Sequence, residues 1–123
     1  MALFDTTGFR LIEQGLDIVN QNKRVISHNL SNIDTPGYKC KYLYFSGVLK
    51  DKLNVSEDAK FKKELHLSSY IYTDKYTFDQ PDGNNVDSDT QQALFVKNAL
   101  LQEALANQLD SEFTIMRSAM SRQ

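Results

Sequence analysis

The feature that most constrains the fold is an abrupt helix stop in the first third of the chain. An apolar pattern of helical period runs from Phe9 to Ile33, and Thr35-Pro36-Gly37 follows almost at once. Pro36 lacks a backbone N–H and biases Thr35 toward an extended conformation, while Gly37 supplies the positive φ that a type II turn requires. The sequence therefore predicts a long helix that ends near Asp34, followed by a sharp turn.

The segment before the turn resembles a heptad seam. Its apolar residues are spaced alternately by three and four, with one interruption at Lys23: Phe9, Ile12, Leu16, Val19, Ile26, Leu30 and Ile33. This spacing predicts a helix from about residue 8 to residue 33. Because Lys23 falls on the seam, we expect its aliphatic stem to lie along apolar surface or its charge to meet a carboxylate.

A second long helix is predicted at the C-terminal end. It follows the densest turn cluster of the chain, residues 80–85, and Asp87 is suited to cap its first turn. Its apolar stripe runs almost to the last residue: Leu94, Leu101, Leu105, Leu109, Phe113, Met116 and Met120. We predict a helix from about residue 87 to residue 120. Large apolar residues at 93–101 surround this helix, so we expect other chains to cover what one partner helix leaves exposed.

The middle of the chain gives weaker signals. Apolar residues between Leu43 and Leu53 favour a short helix, and the charged stretch 55–63 favours a mobile loop. Residues 65–78 are rich in strand formers on both sides of Thr73-Asp74-Lys75, which predicts a weak β-hairpin with its turn there.

Together the patterns predict a mainly α fold. The long N- and C-terminal helices should pair as an antiparallel, coiled-coil-like hairpin, with a partly ordered linker and a weak β-hairpin between them. The domain boundaries that follow are one discontinuous helical domain, residues 1–45 and 81–123, and a variable linker, residues 46–80.

Composition argues against several classes of function. His28 and His66 are 38 positions apart without a metal-ligand pattern around either, Cys40 is the lone cysteine, and the five glycines are scattered singly. Residues 39–75 carry a net charge of +3 and residues 76–123 one of −4, which is too mild for a nucleic-acid footprint. No apolar run approaches ~18 residues. We therefore predict no catalytic, cofactor-binding or metal site, no nucleic-acid partner and no direct membrane insertion.

The turn after the first helix carries a family resemblance. The spacing of six residues there is similar to the signature of flagellar basal-body rod and hook proteins: Asn29, Asn32, Thr35, Pro36, Gly37 and Tyr38. A second run before the C-terminal helix strengthens the resemblance: Asp82, Gly83, Asn84, Asn85, Val86 and Asp87. With the short length, these motifs most resemble the proximal rod proteins of that family. The chain departs from the family pattern at Gln91-Gln92, where relatives tend to carry Glu-Met, and at Ser88, where they tend to carry an apolar residue.

The resemblance implies a structural subunit that polymerises helically into the proximal rod, which transmits torque and continues the export channel. Its implied partners are copies of itself, other flagellar rod proteins, the rod adaptor at the membrane ring and the flagellar export apparatus. The implied location is the basal-body rod in the cell envelope, reached without a cleaved signal peptide. Helix packing and assembly would then rest on the two apolar stripes: Ile12, Leu16, Val19, Ile26, Leu30, Leu94, Leu101, Leu105, Leu109 and Phe113.

Two alternatives remain open from the sequence. The chain could be another short rod protein of the same family, or a cytoplasmic helical adaptor or chaperone-like module, which heptads alone would permit.

The seam generates a first prediction. Leu30→Asp or Leu105→Asp places a carboxylate between the paired helices and should abolish rod assembly while leaving synthesis of the chain intact. Electron microscopy for rods and immunoblotting for the chain measure the two effects. Normal motility in these variants would contradict a packed terminal helix pair.

Overall fold

The structure is a computed structural model that describes residues 7–45, 67–77 and 80–121. The predicted mobile loop at 55–63 and most of the predicted short helix between Leu43 and Leu53 lie outside these residues. Leu43 itself is part of a strand.

Two long helices dominate the fold and confirm the mainly α prediction. Helix α1 spans Thr7–Ser31 and helix α2 spans Ser88–Met120. They run antiparallel, since the rings of Phe9 and Phe113 meet edge to face with centroids 5.8 Å apart while Asn29 bonds to Gln91 at the other end. Between these ends the helices come close, because a Cβ added at Gly15 would lie 3.3 Å from a methyl carbon of Leu105.

The seam of α1 differs from the predicted one at its centre. Ile12, Val19 and Ile26 are buried, but Lys23 is exposed and Asn22 takes the inward position. The Asn22 Nδ2 donates to Asn98 Oδ1 at 2.9 Å, and the Asn98 Nδ2 donates to the Val19 carbonyl at 3.0 Å. Lys23 therefore lies outside the seam, where two facing amides satisfy one another and an ammonium would lose its hydration.

A second buried face of α1 lies beside the first. Gln14, Ile18, Gln21 and Val25 share this face, because their spacing is four, three and four residues. Ile18 and Val25 are buried. The Leu67 amide donates to Gln14 Oε1 at 2.7 Å and the Ser69 hydroxyl donates to Gln21 Oε1 at 2.8 Å, so the end of the linker lies along this side of α1.

A two-stranded antiparallel sheet connects the helices. Strand β1 spans Lys41–Tyr44 and strand β2 spans Tyr70–Thr73, with Tyr42 opposite Tyr72. Strand β1 packs against α1, and all four residues of β2 are exposed.

The small sheet was predicted, but its predicted local turn is wrong. Tyr70–Thr73 pairs with Lys41–Tyr44 and not with the residues after Lys75. The Asp74 carboxylate accepts hydrogen bonds from the amides of Tyr76 and Thr77, which turns the chain away after β2. Strand β1 is a better partner because α1 already holds it in place.

The apolar residues of α2 are not confined to its contact with α1. Leu94, Leu105 and Leu109 are half-buried, whereas Leu101 and Phe113 are exposed. The exposed set extends to residues that face away from α1, among them Val96, Leu100 and Ile115, which are 58 to 62% exposed. The apolar residues of α1 lie on its packed faces, whereas those of α2 are distributed around the helix among polar residues.

The turn at Gly37 provides a stability prediction. Gly37 has φ +71°, and no atom lies within 4 Å of a Cβ added there, so Gly37→Ala would report backbone strain alone. We expect a loss of about 1–2 kcal/mol in the free energy of unfolding, measured by urea denaturation followed by circular dichroism.

Gly8→Ala is the matched control, because an added Cβ there also meets nothing within 4 Å but Gly8 lies in α1. This control should be neutral or slightly stabilising. Equal behaviour of the two variants would mean that positive φ is not needed at Gly37.

Candidate functional site: the joint between the two signature segments

The two motifs found in the sequence meet at one end of the helix pair. The Gly37 amide donates to the Asp82 carbonyl at 2.9 Å, and the Asn85 amide donates to the Tyr38 carbonyl at 3.4 Å. Gly83 has φ +81°, and a Cβ added there would lie 3.5 Å from the Gly37 Cα. The two turns therefore pack backbone against backbone. We refer to residues 29–41 and 80–91 as the joint.

The side chain of Asn84 caps the end of α1. Its Nδ2 lies 2.9 Å from each of three carbonyl oxygens, those of Asn32, Ile33 and Thr35. Its Oδ1 accepts a hydrogen bond from the Val86 amide at 2.8 Å. These carbonyls belong to the turn in which α1 ends, and a donor from the second signature segment satisfies them there.

The side chain of Asn29 performs the corresponding task for β1. Its Oδ1 accepts from the Lys41 amide at 3.0 Å, and its Nδ2 donates to the Lys41 carbonyl at 2.7 Å. The carboxamide thus imitates a neighbouring peptide group along the outer edge of the strand. The Tyr38 hydroxyl adds a longer bond to the same Oδ1, at 3.3 Å. Asn29 therefore attaches the strand directly to α1.

The side chain of Asn85 closes the end of the small sheet. The Asp74 amide donates to the Cys40 carbonyl at 2.8 Å, which is the last backbone bond of the ladder. Beyond it, the Cys40 amide donates to Asn85 Oδ1 at 2.6 Å, and the Asn85 Nδ2 donates to the Asp74 carbonyl at 3.0 Å. One carboxamide thus bridges the two strands and holds both ends of the linker to the start of α2.

Gln91 is the residue of the joint that the sequence analysis missed. Its side chain is fully buried; Oε1 accepts from Asn29 Nδ2 at 2.9 Å, and Nε2 contacts Cys40 Sγ at 3.3 Å. The signal that could have found it is spacing, since Gln91, Leu94 and Asn98 follow at three and four residues on the inward face of α2. The chain's departure from the family pattern at this position therefore places a neutral amide in the core.

Cys40 lies beside this amide, and its surroundings keep it protonated. The thiol is buried, and burial raises its pKa above the usual value. Burial likewise raises the pKa of the adjacent Tyr42 hydroxyl, which hydrogen-bonds with Cys40. Both groups are therefore neutral at physiological pH and contribute to packing and hydrogen bonding.

Asp87 lies at the edge of the joint and is the N-cap residue of α2. Its carboxylate accepts hydrogen bonds from the amides of Asp89 and Thr90 and from the Thr90 hydroxyl. The Thr90 hydroxyl bond is the main cause of a lowered pKa at Asp87. The second signature segment thus caps α1 through Asn84 and α2 through Asp87.

The remaining signature residues lie at the periphery of the joint. The Asn32 Nδ2 donates to the His28 carbonyl at 2.8 Å, and the Thr35 hydroxyl donates to Asn32 Oδ1 at 3.2 Å. Pro36 is exposed and Val86 is buried. Of the two predicted sets, the structure brings Asn29, Tyr38 and the run from Asn84 to Val86 into one buried network.

The chemistry of this network is that of backbone support. Within residues 7–45, 67–77 and 80–121, every buried side-chain nitrogen and oxygen has a hydrogen-bond partner. The same residues contain no group of three or more His, Cys, Asp or Glu side chains placed to hold a metal ion.

An open pocket of about 360 Å³ lies at the rim of the joint, lined by Ile33, Thr77, Gln80, Asn85, Val86, Asp87 and Ser88. None of the helices described is both long and apolar enough to cross a membrane.

The chain is similar in sequence to known flagellar rod proteins. No protein-family model matches the chain. The flagellar basal body rod protein FlgB of Bacillus subtilis is 29% identical, over 98% of this chain and 98% of its own length. FlgB of Escherichia coli is 27% identical over 89% of this chain, and FlgB of Borreliella burgdorferi is 29% identical over 75% of it.

The chain is similar over most of its length to members of the flagellar basal body rod protein family. Within that family, the relatives compared above are FlgB proteins, and the similarity to two of them covers about nine-tenths of this chain or more.

The cap formed by Asn84 provides a prediction for the joint. Asn84→Ala removes the donor to three carbonyls and should lower the free energy of unfolding by about 1–3 kcal/mol. Asn84→Asp keeps the shape but places a carboxylate against carbonyl oxygens, so its pKa in the folded chain should be raised. Its destabilisation should therefore be greatest at neutral pH, shrink as the pH falls through the raised pKa, and be largely lost below about 4.

Urea denaturation at pH 7 and at pH 3.5 measures both effects. Asn107→Ala is the control, because Asn107 is exposed in the middle of α2. Equal losses at Asn84 and Asn107, or no pH dependence for Asn84→Asp, would contradict the capping role.

Proposed function

We propose that copies of this chain assemble helically into the proximal part of the flagellar rod, which transmits torque and surrounds the export channel. The observation that carries the proposal is the exposed apolar face of α2. Val96, Leu100 and Ile115 face away from α1 and remain largely exposed in a single chain. A chain with such a surface is complete only when other subunits cover it.

The energetics favour many contacts of this kind. Burying one Val, Leu or Ile side chain contributes roughly 1.5–3 kcal/mol, and association must first offset an estimated 4–15 kcal/mol or more of lost translational and rotational freedom. One or two such side chains do not meet that cost. A subunit surrounded by several neighbours can meet it, which is the situation inside a helical polymer.

The joint suits a part that carries torque. The pairs Asn22–Asn98 and Asn29–Gln91 hold the two helices in one register, since a shift along the seam would leave buried amides without partners. The backbone contact between Gly37 and Asp82 and the cap at Asn84 then hold the ends of the helices together. Such a hairpin should pass force between neighbours with little internal sliding.

The remaining parts of the proposal follow from the similarity to FlgB proteins. The partners would be copies of this chain, other flagellar rod proteins, the rod adaptor at the membrane ring and the flagellar export apparatus. The chain would act without catalysis, cofactor or nucleic acid and would reach the rod without a cleaved signal peptide. The names of the relatives support the basal-body location.

Two other assignments remain as alternatives. Another position among the short rod proteins would use the same helix pair, and a cytoplasmic helical adaptor would use the exposed face of α2 for a soluble partner. Location distinguishes the adaptor from a rod subunit, because an adaptor stays in the cytosol whereas a rod subunit sediments with isolated basal bodies.

Electron microscopy of cells that lack this chain tests the function. We expect membrane rings without rods or hooks, and restored rods when the chain is supplied from a plasmid. Complete flagella in a strain without a second copy of the gene would refute the rod assignment and favour the adaptor.

A further inference from the structure

We propose that the small sheet of one copy docks on the outward face of α2 of a second copy. The sheet surface consists of the exposed Tyr44, Tyr70 and Tyr72, and we call it the tyrosine ribbon. The receiving surface consists of Asp89, Val96, Leu100 and Glu103, and we call it the outer stripe. This inference rests on the proposed function, since it names the contact through which copies would join.

The tyrosine ribbon is built to present aromatic rings. Tyr42 stacks on Tyr72 with centroids 5.6 Å apart, and Tyr44 lies against Tyr70 at 5.4 Å. These four rings share one face because alternate residues of a strand point the same way. Strand β2 is the outer strand, and Tyr70 is 60% exposed. Ordered tyrosines of this kind supply large contact area at low entropic cost.

The outer stripe is a single face of α2. Asp89, Val96, Leu100 and Glu103 follow at seven, four and three residues, and all four are exposed. This face points away from α1, because the inward face of α2 carries Gln91 and Asn98. The ribbon is attached to α1 through Lys41 and Asn29, so the two surfaces of one molecule do not face each other.

Charge favours the tyrosine ribbon over the other surfaces that could cover the outer stripe. Lys41 and Lys75 flank the ribbon and are exposed, and these two cations outnumber the one neighbouring carboxylate, that of Asp74. The stripe carries Asp89 and Glu103. A ribbon on a stripe therefore joins basic to acidic surface, whereas ribbon on ribbon or stripe on stripe joins like charges.

The outer face of α1 does not compete for either surface. It carries Glu13, Asp17, Asn20 and Arg24, all exposed, and offers no large apolar side chain. Among the described residues, the large exposed apolar side chains lie on the small sheet and the turn after it, and on α2. These two surfaces are the ones that gain from covering each other.

A contact between two different surfaces has a consequence for assembly. Each copy would offer one ribbon and one stripe, so the contact repeats from copy to copy without closing into a pair. A head-to-tail contact of this kind generates a helical series.

Cysteine cross-linking tests the contact in assembled rods. A chain with both Tyr70→Cys and Leu100→Cys, treated in isolated basal bodies with a short bismaleimide, should give a ladder of covalent dimers, trimers and larger species on denaturing gels. Co-expressed single variants should give dimers and nothing larger. The unsubstituted chain is the background control, because Cys40 is buried.

The matched control moves one cysteine to the outer face of α1. Asp17→Cys combined with Leu100→Cys should give no ladder. Rods that form from the Tyr70→Cys, Leu100→Cys chain without giving a ladder, or a cross-link from position 70 to a different protein, would overturn the docking proposal and leave the rod function standing. Rods that form without the chain at all would instead overturn the function.

A charge exchange keeps the proposal testable if the cysteine variants fail to assemble. Lys75→Glu or Glu103→Lys alone should reduce the yield of rods by about two- to fivefold, and the two together should restore it. Arg24→Glu, on the outer face of α1, should change nothing. Single variants without effect, or a double variant no better than the singles, would count against the contact.

Discussion

The structure depends on one constraint, that buried backbone N–H and C=O groups must find partners. Such groups lack a backbone hydrogen-bond partner at three places: the end of α1, the outer edge of β1 and the open end of the small sheet. Asn84, Asn29 and Asn85 each place a carboxamide there, and each accepts as well as donates. A side-chain amide has the same donor and acceptor as a peptide group, so it can continue a hydrogen-bond pattern where the backbone cannot.

This constraint explains why the two signature segments work as one unit. The first segment brings the carbonyls that lack partners and the second brings the amides that satisfy them. Gly37 and Gly83 both take positive φ, a conformation that residues with a Cβ rarely adopt. Removal of either segment would leave the other without these hydrogen-bond partners.

Periodicity and turn chemistry predicted the helices, their antiparallel pairing and the mainly α fold, because those signals are local. The choice of which segments pair with each other does not depend on local sequence. The strand formers at 70–73 were visible, but nothing in their own sequence indicated Lys41–Tyr44 as their partner, and the pairing depends on Asn29 holding that strand. Asn22 and Gln91 were missed for a related reason: a polar residue on an inward face looks like surface until its facing amide is known.

The pairing of Tyr44 with Tyr70 has a consequence for the evolution of the chain. The segment between these residues leaves the helical unit from one strand and re-enters it on the adjacent strand, so its two ends are held side by side. The entropic cost of closing a longer loop between such ends grows only logarithmically with its length. Sequence could therefore be added or removed at this point, up to a whole inserted domain, while the hairpin kept the same geometry.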